Sequence, residues 1–440
     1  MAEIMIDLRL TINVPDRGIK INNLLYQLKE FMPEVFFGIL RAIFSAVEED
    51  AIAKLKKQSP GRYVRNGRQS GKRQIRTAYG LFQYKLARLY DKRTKKTLTP
   101  LCDAIGLPRY CRHMKEAAEG GIGLVCHLSY RRSAKEIDRI LGTGMSKSTL
   151  HRQVQEFSRD MCNWPELKGI PYRFLMVDGT KVRLQQQGKK GQSKKVEMRW
   201  AMASLEEKGK FELVGIWLDK SWKEIRKELE KRLNYSNLEV LFCDGGPGIE
   251  DNLLADGMRV QRCILHGKRD FPYILYADNL KKAQQKPFKD KLKSIPVMNL
   301  TQRDLELLRP EDLPEVKRLA EKTKQGFKEL IDALPAEKYP TARTYIENLS
   351  RDVTTFFDFW FANKVWIRLD TNAIESGFSQ VKNRIWAVGK RWSETGLMNW
   401  LKVVVKKIFF PDTWNKLWDE YLDIDTNLTI NLMEVRYQWL

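Results

Sequence analysis

The chain has 440 residues, 43% hydrophobic and 30% charged, with 12 Trp, 19 Phe and 15 Tyr. That apolar content supplies a large core, which excludes a wholly disordered chain and leaves room for roughly two to four domains. Lys and Arg number 78 against 55 acids, a net charge of +23. Such a surplus repels itself in a compact protein unless a polyanion is the natural partner, so nucleic acid ranks first and an anionic membrane surface second.

The first residues, IMIDLRLTINV, alternate in polarity and predict a β-strand, not a signal peptide. No apolar run approaches the roughly 18 residues that span a bilayer, so no membrane partner is expected. Cys102, Cys111, Cys126, Cys162, Cys243 and Cys263 are few and scattered. They predict free thiols in a reducing compartment, cytoplasmic in a prokaryote or nuclear in a eukaryote. The set Cys111, His113, Cys126 and His127 fits no common zinc module.

Asn22 to about Gln58 carries apolar residues at three- and four-residue spacing and predicts an amphipathic helix, packed internally or against a second copy. From Lys54 to Lys96 there are fifteen Lys or Arg and one acid, Asp91. The part SPGRYVRNGRQSGKRQIR is rich in Gly and Ser and predicts an extended basic arm. Its Arg62, Arg65, Arg68, Lys72, Arg73 and Arg76 are candidates for phosphate contact; a solvated face is the plainer alternative. TAYGLFQYKLARLY with the turn DKRTKK predicts a basic β-hairpin. Further on, SYRRSAKEIDRILG, TGM and SKSTLHRQVQEFSRDM outline a helix-turn-helix capped by Ser146. Its second helix would offer Lys147, His151 and Arg152 to a major groove.

From Pro171 the pattern turns to strands. RFLMVDGTKVRL, VEMRWAMASLEE and FELVGIWLDK predict three of them, then SWKEIRKELEKRLNY a helix with a capping box at Ser221 and Glu224. NLEVLFCDGG predicts a buried strand, PGIEDNLLADG a short helix and MRVQRCIL another strand. That order, three strands, helix, strand, helix, strand, predicts an α/β ribonuclease-H-like sheet. A charged, all-helical block follows it. The boundaries expected are an N-terminal region at 1–60, DNA-binding elements at 61–165, a catalytic domain at 166–273 and 355–410 interrupted by a helical insertion at 274–354, and a tail at 411–440.

Asp178 and Asp244 each follow an apolar strand, at the edge where open α/β sheets place ligands. Acids on adjacent strand ends repel unless a cation lies between them, and hard Mg²⁺ or Mn²⁺ suits such oxygens. Asp-Gly is also a common turn pair, so either acid alone says little. Glu375 begins a helix that also carries Gln380, Lys382 and Arg384 within three turns.

Three ordered blocks, VDGTKV, FCDGGPGI with QRCILHGKRD, and TNAIESGFSQVKNR, resemble the Mutator-type transposases and the insertion-sequence transposases related to them. The resemblance runs over roughly Phe174 to Ile408. It implies that Asp178, Asp244 and Glu375 form a catalytic triad holding two Mg²⁺ ions (Mn²⁺ as a substitute). It also implies that His266 of the Cys-x-x-His pair lies near the scissile phosphate. The implied activity is DNA transposition: cleavage at terminal inverted repeats, then strand transfer into target DNA, by a dimer or higher assembly. Lys382 and Arg384 would neutralise phosphates. A non-catalytic DNA-binding derivative and a ribonuclease-H-like nuclease or resolvase are the other readings of the same residues.

Overall fold

The computed structural model describes residues 20–424, apart from 109, 111, 143, 165–166, 187–191 and 389–391; the strand expected at the N-terminus, Cys111 and most of the tail lie outside them. Among the described residues no helix is long and apolar enough to cross a membrane. The chain divides into two units, residues 1–161 with 410–440, and residues 162–409.

In the first unit, the three- and four-residue apolar spacing gives helix α1 (Ile21–Gln58). Phe44, Glu48 and Ile52 are buried on its second half, while Ile21, Leu25, Tyr26, Phe31 and Met32 are exposed on its first. The basic segment after it departs from expectation. The part expected as an extended arm folds instead as β1 (Tyr63–Arg68) and β2 (Arg73–Thr77); the part expected as a hairpin forms β3 (Gly80–Tyr84), β4 (Ala87–Asp91) and β5 (Lys96–Leu98), with the DKRTKK turn joining the last two. β1, β4 and β5 form an antiparallel sheet, and β2 pairs with β3 as a hairpin. Alternate burial along these strands explains why they hold: Ile75, Phe82, Ala87 and Leu89 face inward.

Counter-charge does the rest. The buried Asp91 accepts two hydrogen bonds from Arg62, at 2.9 and 2.7 Å, and holds the turn expected at DKRTKK through Arg93 N and Thr94 Oγ1. The buried Glu48 of α1 accepts from Arg68 Nη1 at 2.9 Å, Tyr84 Oη at 3.2 Å and Ala87 N at 2.7 Å. Glu49 pairs with Arg65. Two of these acids sit on α1, outside the window whose charge surplus suggested an arm.

Helices α2 (Pro100–Ala104), α3 (Lys115–Val125), α4 (Tyr130–Leu141) and α5 (Lys147–Met161) follow. α4 and α5 span the two helices of the helix-turn-helix outline; Ser146 Oγ accepts from Thr149 N at 3.1 Å at the head of α5. α3 packs closely on both, since a Cβ at Gly121 would stand 2.8 Å from Leu150 Cδ1.

The second unit opens with β6 (Phe174–Gln185), β7 (Ser193–Ser204) and β8 (Glu212–Leu218), then α6 (Trp222–Arg232), β9 (Val240–Cys243), α7 (Ile249–Leu253) and β10 (Arg259–Arg262). The five strands make one mixed sheet in the order β10-β9-β6-β7-β8: β6, β9 and β10 run parallel, and β7 and β8 are antiparallel to their neighbours. Leu175, Val177, Ala201, Val214, Leu241 and Cys243 on one face share a core with Ile225 and Leu229 of α6. The capping box at Ser221 and Glu224 is present.

Helices α8 (Ile264–Ala277), α9 (Lys286–Ser294), α10 (Gln302–Leu307), α11 (Leu313–Asp332), α12 (Pro340–Asp352), α13 (Thr355–Asn363), α14 (Asn372–Val388) and α15 (Glu394–Phe409) complete this unit. Residues 411–440, expected as a tail, begin with α16 (Pro411–Leu422) in the first unit, whose Trp418 stacks on Phe157 of α5 at 4.4 Å.

Candidate active site

Asp178 is the fifth of twelve residues in β6, so the strand does not end at it as the apolar run suggested. What ends there is the pairing with β9, which covers only Phe174, Leu175 and Met176. Beyond that point β6 stays paired to β7 alone, and the sheet is open on the β9 side. Asp244 comes directly after β9. Each aspartate stands two residues beyond the last paired position, Met176↔Phe242, and the Asp244 carboxylate is near enough to act on Asp178.

The Asp244 loop is tightly fixed. Asp244 Oδ1 accepts from Gly246 N at 2.8 Å, and the buried Arg262 donates from Nε to Asp244 O at 3.2 Å. Gly245 has φ +80°, and a Cβ there would come within 2.2 Å of Arg262 Nε. Only glycine satisfies both demands. Arg262 also lies over the Tyr345 ring at 4.7 Å.

The third acid is brought in by α14. Trp200 lies directly opposite Asp178 across the β6–β7 ladder. Gly377 of α14 rests on that indole, where a Cβ would stand 2.9 Å from it, and Phe378 packs on it at 4.9 Å. Lys382 Nζ donates to Thr180 Oγ1 at 3.0 Å, two residues beyond Asp178 on the same face of β6. α14 therefore lies across the face that bears Asp178, with Glu375 in its first turn. Asp370 heads the helix by accepting from Asn372 N at 3.0 Å.

His266 arrives from the other side. Ile264 N donates to Leu369 O at 3.2 Å, so the first turns of α8 and α14 start side by side. His266 Nδ1 lies 3.5 Å from Glu375 Oε1, a distance that leaves this buried nitrogen without a hydrogen bond among the described residues.

Electrostatics ties these groups together. Asp178 is 6% exposed. Burial first, then the Asp244 carboxylate, raises its pKa to about 7; Glu375 pushes the same way and His266 and the Gly179 N–H oppose it. Burial pushes the Cys263 thiol up, but His266 and Thr371 together outweigh it and the thiol falls below its ordinary value. For His266, burial is outweighed by Cys263, and the imidazole is raised. Among the described residues no Lys or Arg forms an ion pair with Asp178, Asp244 or Glu375.

No group of three or more His, Cys, Asp or Glu is arranged as a metal shell among the described residues. The donor chemistry nonetheless fits a hard divalent cation. Hard carboxylate oxygens meet at a sheet edge, one of them buried and repelled by its neighbours, without a cationic side chain to neutralise them.

The candidate DNA contacts divide. Arg62, Arg65 and Arg68 are paired to acids of their own unit, which corrects the expectation of six cations in a flexible arm. Lys72 is exposed, Arg73 Nη2 donates to Pro108 O at 2.6 Å, and the Arg76 guanidinium lies against Gly144. On α5, Lys147, His151 and Arg152 are exposed; Lys147 and His151 line a shallow cleft with Tyr130 and Ser148, and Arg152 approaches Glu156 at 3.9 Å. Arg384 donates to Gln380 O within α14.

Sequence reasoning missed Arg262, Trp200 and Thr180. The VDGTKV block already contained Thr180 and the QRCILHGKRD block Arg262; Trp200 left no local signal, because its role exists only across strands.

No protein-family profile matches the chain, and no curated protein does. A solved structure, the Drosophila P element transposase strand transfer complex, aligns over 66% of this chain and 92% of that one, with 10% identity and a TM-score of 0.36. A likeness that slight carries no argument. The chain is a mixed α/β protein whose second unit holds the candidate site.

Proposed function

We propose that the second unit is a ribonuclease-H-like phosphoryl-transfer domain and that the chain is a DNA transposase of the Mutator-related kind. One observation carries the reading. Asp178, Asp244 and Glu375, spread over some two hundred residues, meet at the point where β6 and β9 part, with His266 against Glu375. The strand order β10-β9-β6-β7-β8, with three successive antiparallel strands before a helical crossover, further supports the ribonuclease-H-like assignment.

Asp178, Asp244 and Glu375 would hold Mg²⁺ or Mn²⁺. When bound, such ions lower the pKa of an attacking water or 3′-hydroxyl and neutralise the charge of the phosphate. The chain's own residues do the positioning. Arg262 and Gly245 fix the Asp244 backbone, and the Gly377–Trp200 contact sets the depth of Glu375. His266 lies beside the Glu375 carboxylate, and Lys382 brings a positive charge to the rim beside Thr180. The exposed cations of α5 are the groups that would reach a major groove in a terminal repeat.

The test is cleavage of duplexes carrying the sequences that flank the coding gene, in Mg²⁺, by the parent protein and by Asp244→Asn. Binding to the same duplexes is followed in Ca²⁺. Loss of cleavage with binding retained is the expected result; cleavage by the variant near the parental rate overturns the assignment.

A further inference from the structure

Helix α8 has an outer face that the proposed chemistry does not use. Its inner face, Ile264, Gly267, Phe271 and Leu275, is buried. α12 pins that face: Tyr345 Oη donates to Gly267 O at 3.2 Å, and the Tyr345 ring stacks on Phe271 at 6.1 Å. Leu265, Arg269, Tyr273 and Tyr276 follow one another at spacings of four, four and three, which sets them on one outer stripe. Tyr273 is 74% exposed and Tyr276 71%. Two large rings mostly in water on a well-packed helix bury little of the surface for which an aromatic side chain is otherwise used.

The stripe starts at the candidate active site. His266 is on its flank in the first turn, and by helical rise Arg269, Tyr273 and Tyr276 lie about 4, 10 and 15 Å further along the axis. The charge near Arg269 reflects that nearness. Burial opposes its protonation, but Asp270 and then the more distant Glu375 and Asp178 outweigh it. Its ion pair with Asp270, at 3.1 Å, is solvent-exposed and therefore weak, so a phosphate can take its place. Lys281 and Lys282 are exposed just past the end of α8. Two rings flanked by cations, Arg269 before them and Lys281 and Lys282 after, suit bases and phosphates together, and an acidic peptide would leave the rings unused. A paired duplex offers no free base face to a ring, so the occupant is unpaired strand.

We propose that the outer face of α8 binds unpaired nucleotides of DNA beside the scissile position, with Tyr273 and Tyr276 stacking on bases and Arg269, Lys281 and Lys282 holding phosphates. The word "scissile" rests on the proposed catalytic reading; the binding does not.

Fluorescence anisotropy in Ca²⁺ compares the full-length protein on a blunt duplex and on the same duplex with an unpaired tail. Stacking is worth roughly 1–3 kcal/mol per base, so Tyr273→Ala with Tyr276→Ala should weaken binding to the tailed duplex by about tenfold or more and to the blunt duplex by less than twofold. Phe at both positions should restore the parental affinity, which a loss of fold or hydroxyl would not allow. A second reading uses the parent alone: 2-aminopurine in the tail should be quenched on binding. Equal losses on both duplexes, or no quenching, overturn the proposal. If Asp244→Asn still cleaves while the tail effect holds, the catalytic reading falls and the stacking face stands. If that variant is inactive and the tyrosines are silent, the reverse is true.

Discussion

The two units treat their buried acids in opposite ways. In the first, Asp91 lies between Arg62, Arg93 N and Thr94, and the Arg62 hydrogen bonds hold its carboxyl far below its usual range. Glu48 is likewise met by Arg68, Tyr84 and Ala87 N. In the second, Asp178 is about as buried but faces Asp244 and Glu375, and its pKa rises to about 7. Protein folds neutralise buried acids that serve structure; a set left to repel itself costs stability and is kept for binding or chemistry. The contrast separates structural from functional carboxylates without reference to any relative.

The largest effect should come from Asp178→Asn or Asp244→Asn on DNA cleavage, a loss on the order of a thousandfold, while Asp91→Asn leaves the rate per folded molecule unchanged. Equal losses from the two kinds of acid would erase the distinction.

Stability should move the other way. With its folded pKa raised, Asp178 favours the folded state fully below about 3.8 and loses that contribution as pH rises through about 7. In chelator at pH 8, Asp178→Asn should therefore raise stability by up to about 4 kcal/mol, with no gain near pH 4. Added Mg²⁺ should stabilise the parent and not the variant. Thermal melts across pH decide this, and a flat pH difference counts against the repulsive cluster. Asp91 has the opposite sign. Its depressed pKa gives stability that is present above about 3.8 and lost as the pH falls through the folded value.

Glu48→Ala should cost about 3 kcal/mol, the low end for a broken buried pair because Arg68 is partly exposed. Urea unfolding monitored by fluorescence measures it. A loss below about 1 kcal/mol would mean that the basic sheet holds together without its counter-charge.

The smallest effect concerns salt. Six free cations would give a log–log slope for DNA binding near −5, but three of them are committed to Asp91, Glu49 and Glu48. Replacing Arg62, Arg65 and Arg68 should change the slope by less than about 1, while Lys72→Ala and Lys147→Ala should each flatten it by about 1. A large change from the paired arginines would show that DNA displaces their acids.

Much of the fold was legible because it depends on local pattern. The helix over Asn22–Gln58, the capped helix at Ser221 and the strand order from Phe174 to Arg262 follow from apolar spacing and turn residues, which neighbouring side chains dictate. The basic segment looks like an arm in sequence for the complementary reason: its partners Glu48 and Glu49 lie on α1, some fifteen to twenty residues away, where no local window counts them. For the candidate site, local pattern was enough to show which acids follow apolar strands and that Glu375 opens a helix. That β6 and β9 part at Met176, that Trp200 backs Asp178 and seats Gly377, and that His266 of α8 meets Glu375 of α14 follows from packing over long separations. The reason is physical. Spacing along a chain sets which face a side chain takes, while strand pairing and helix packing set which faces meet, and a cluster of repelling carboxylates exists only after they do.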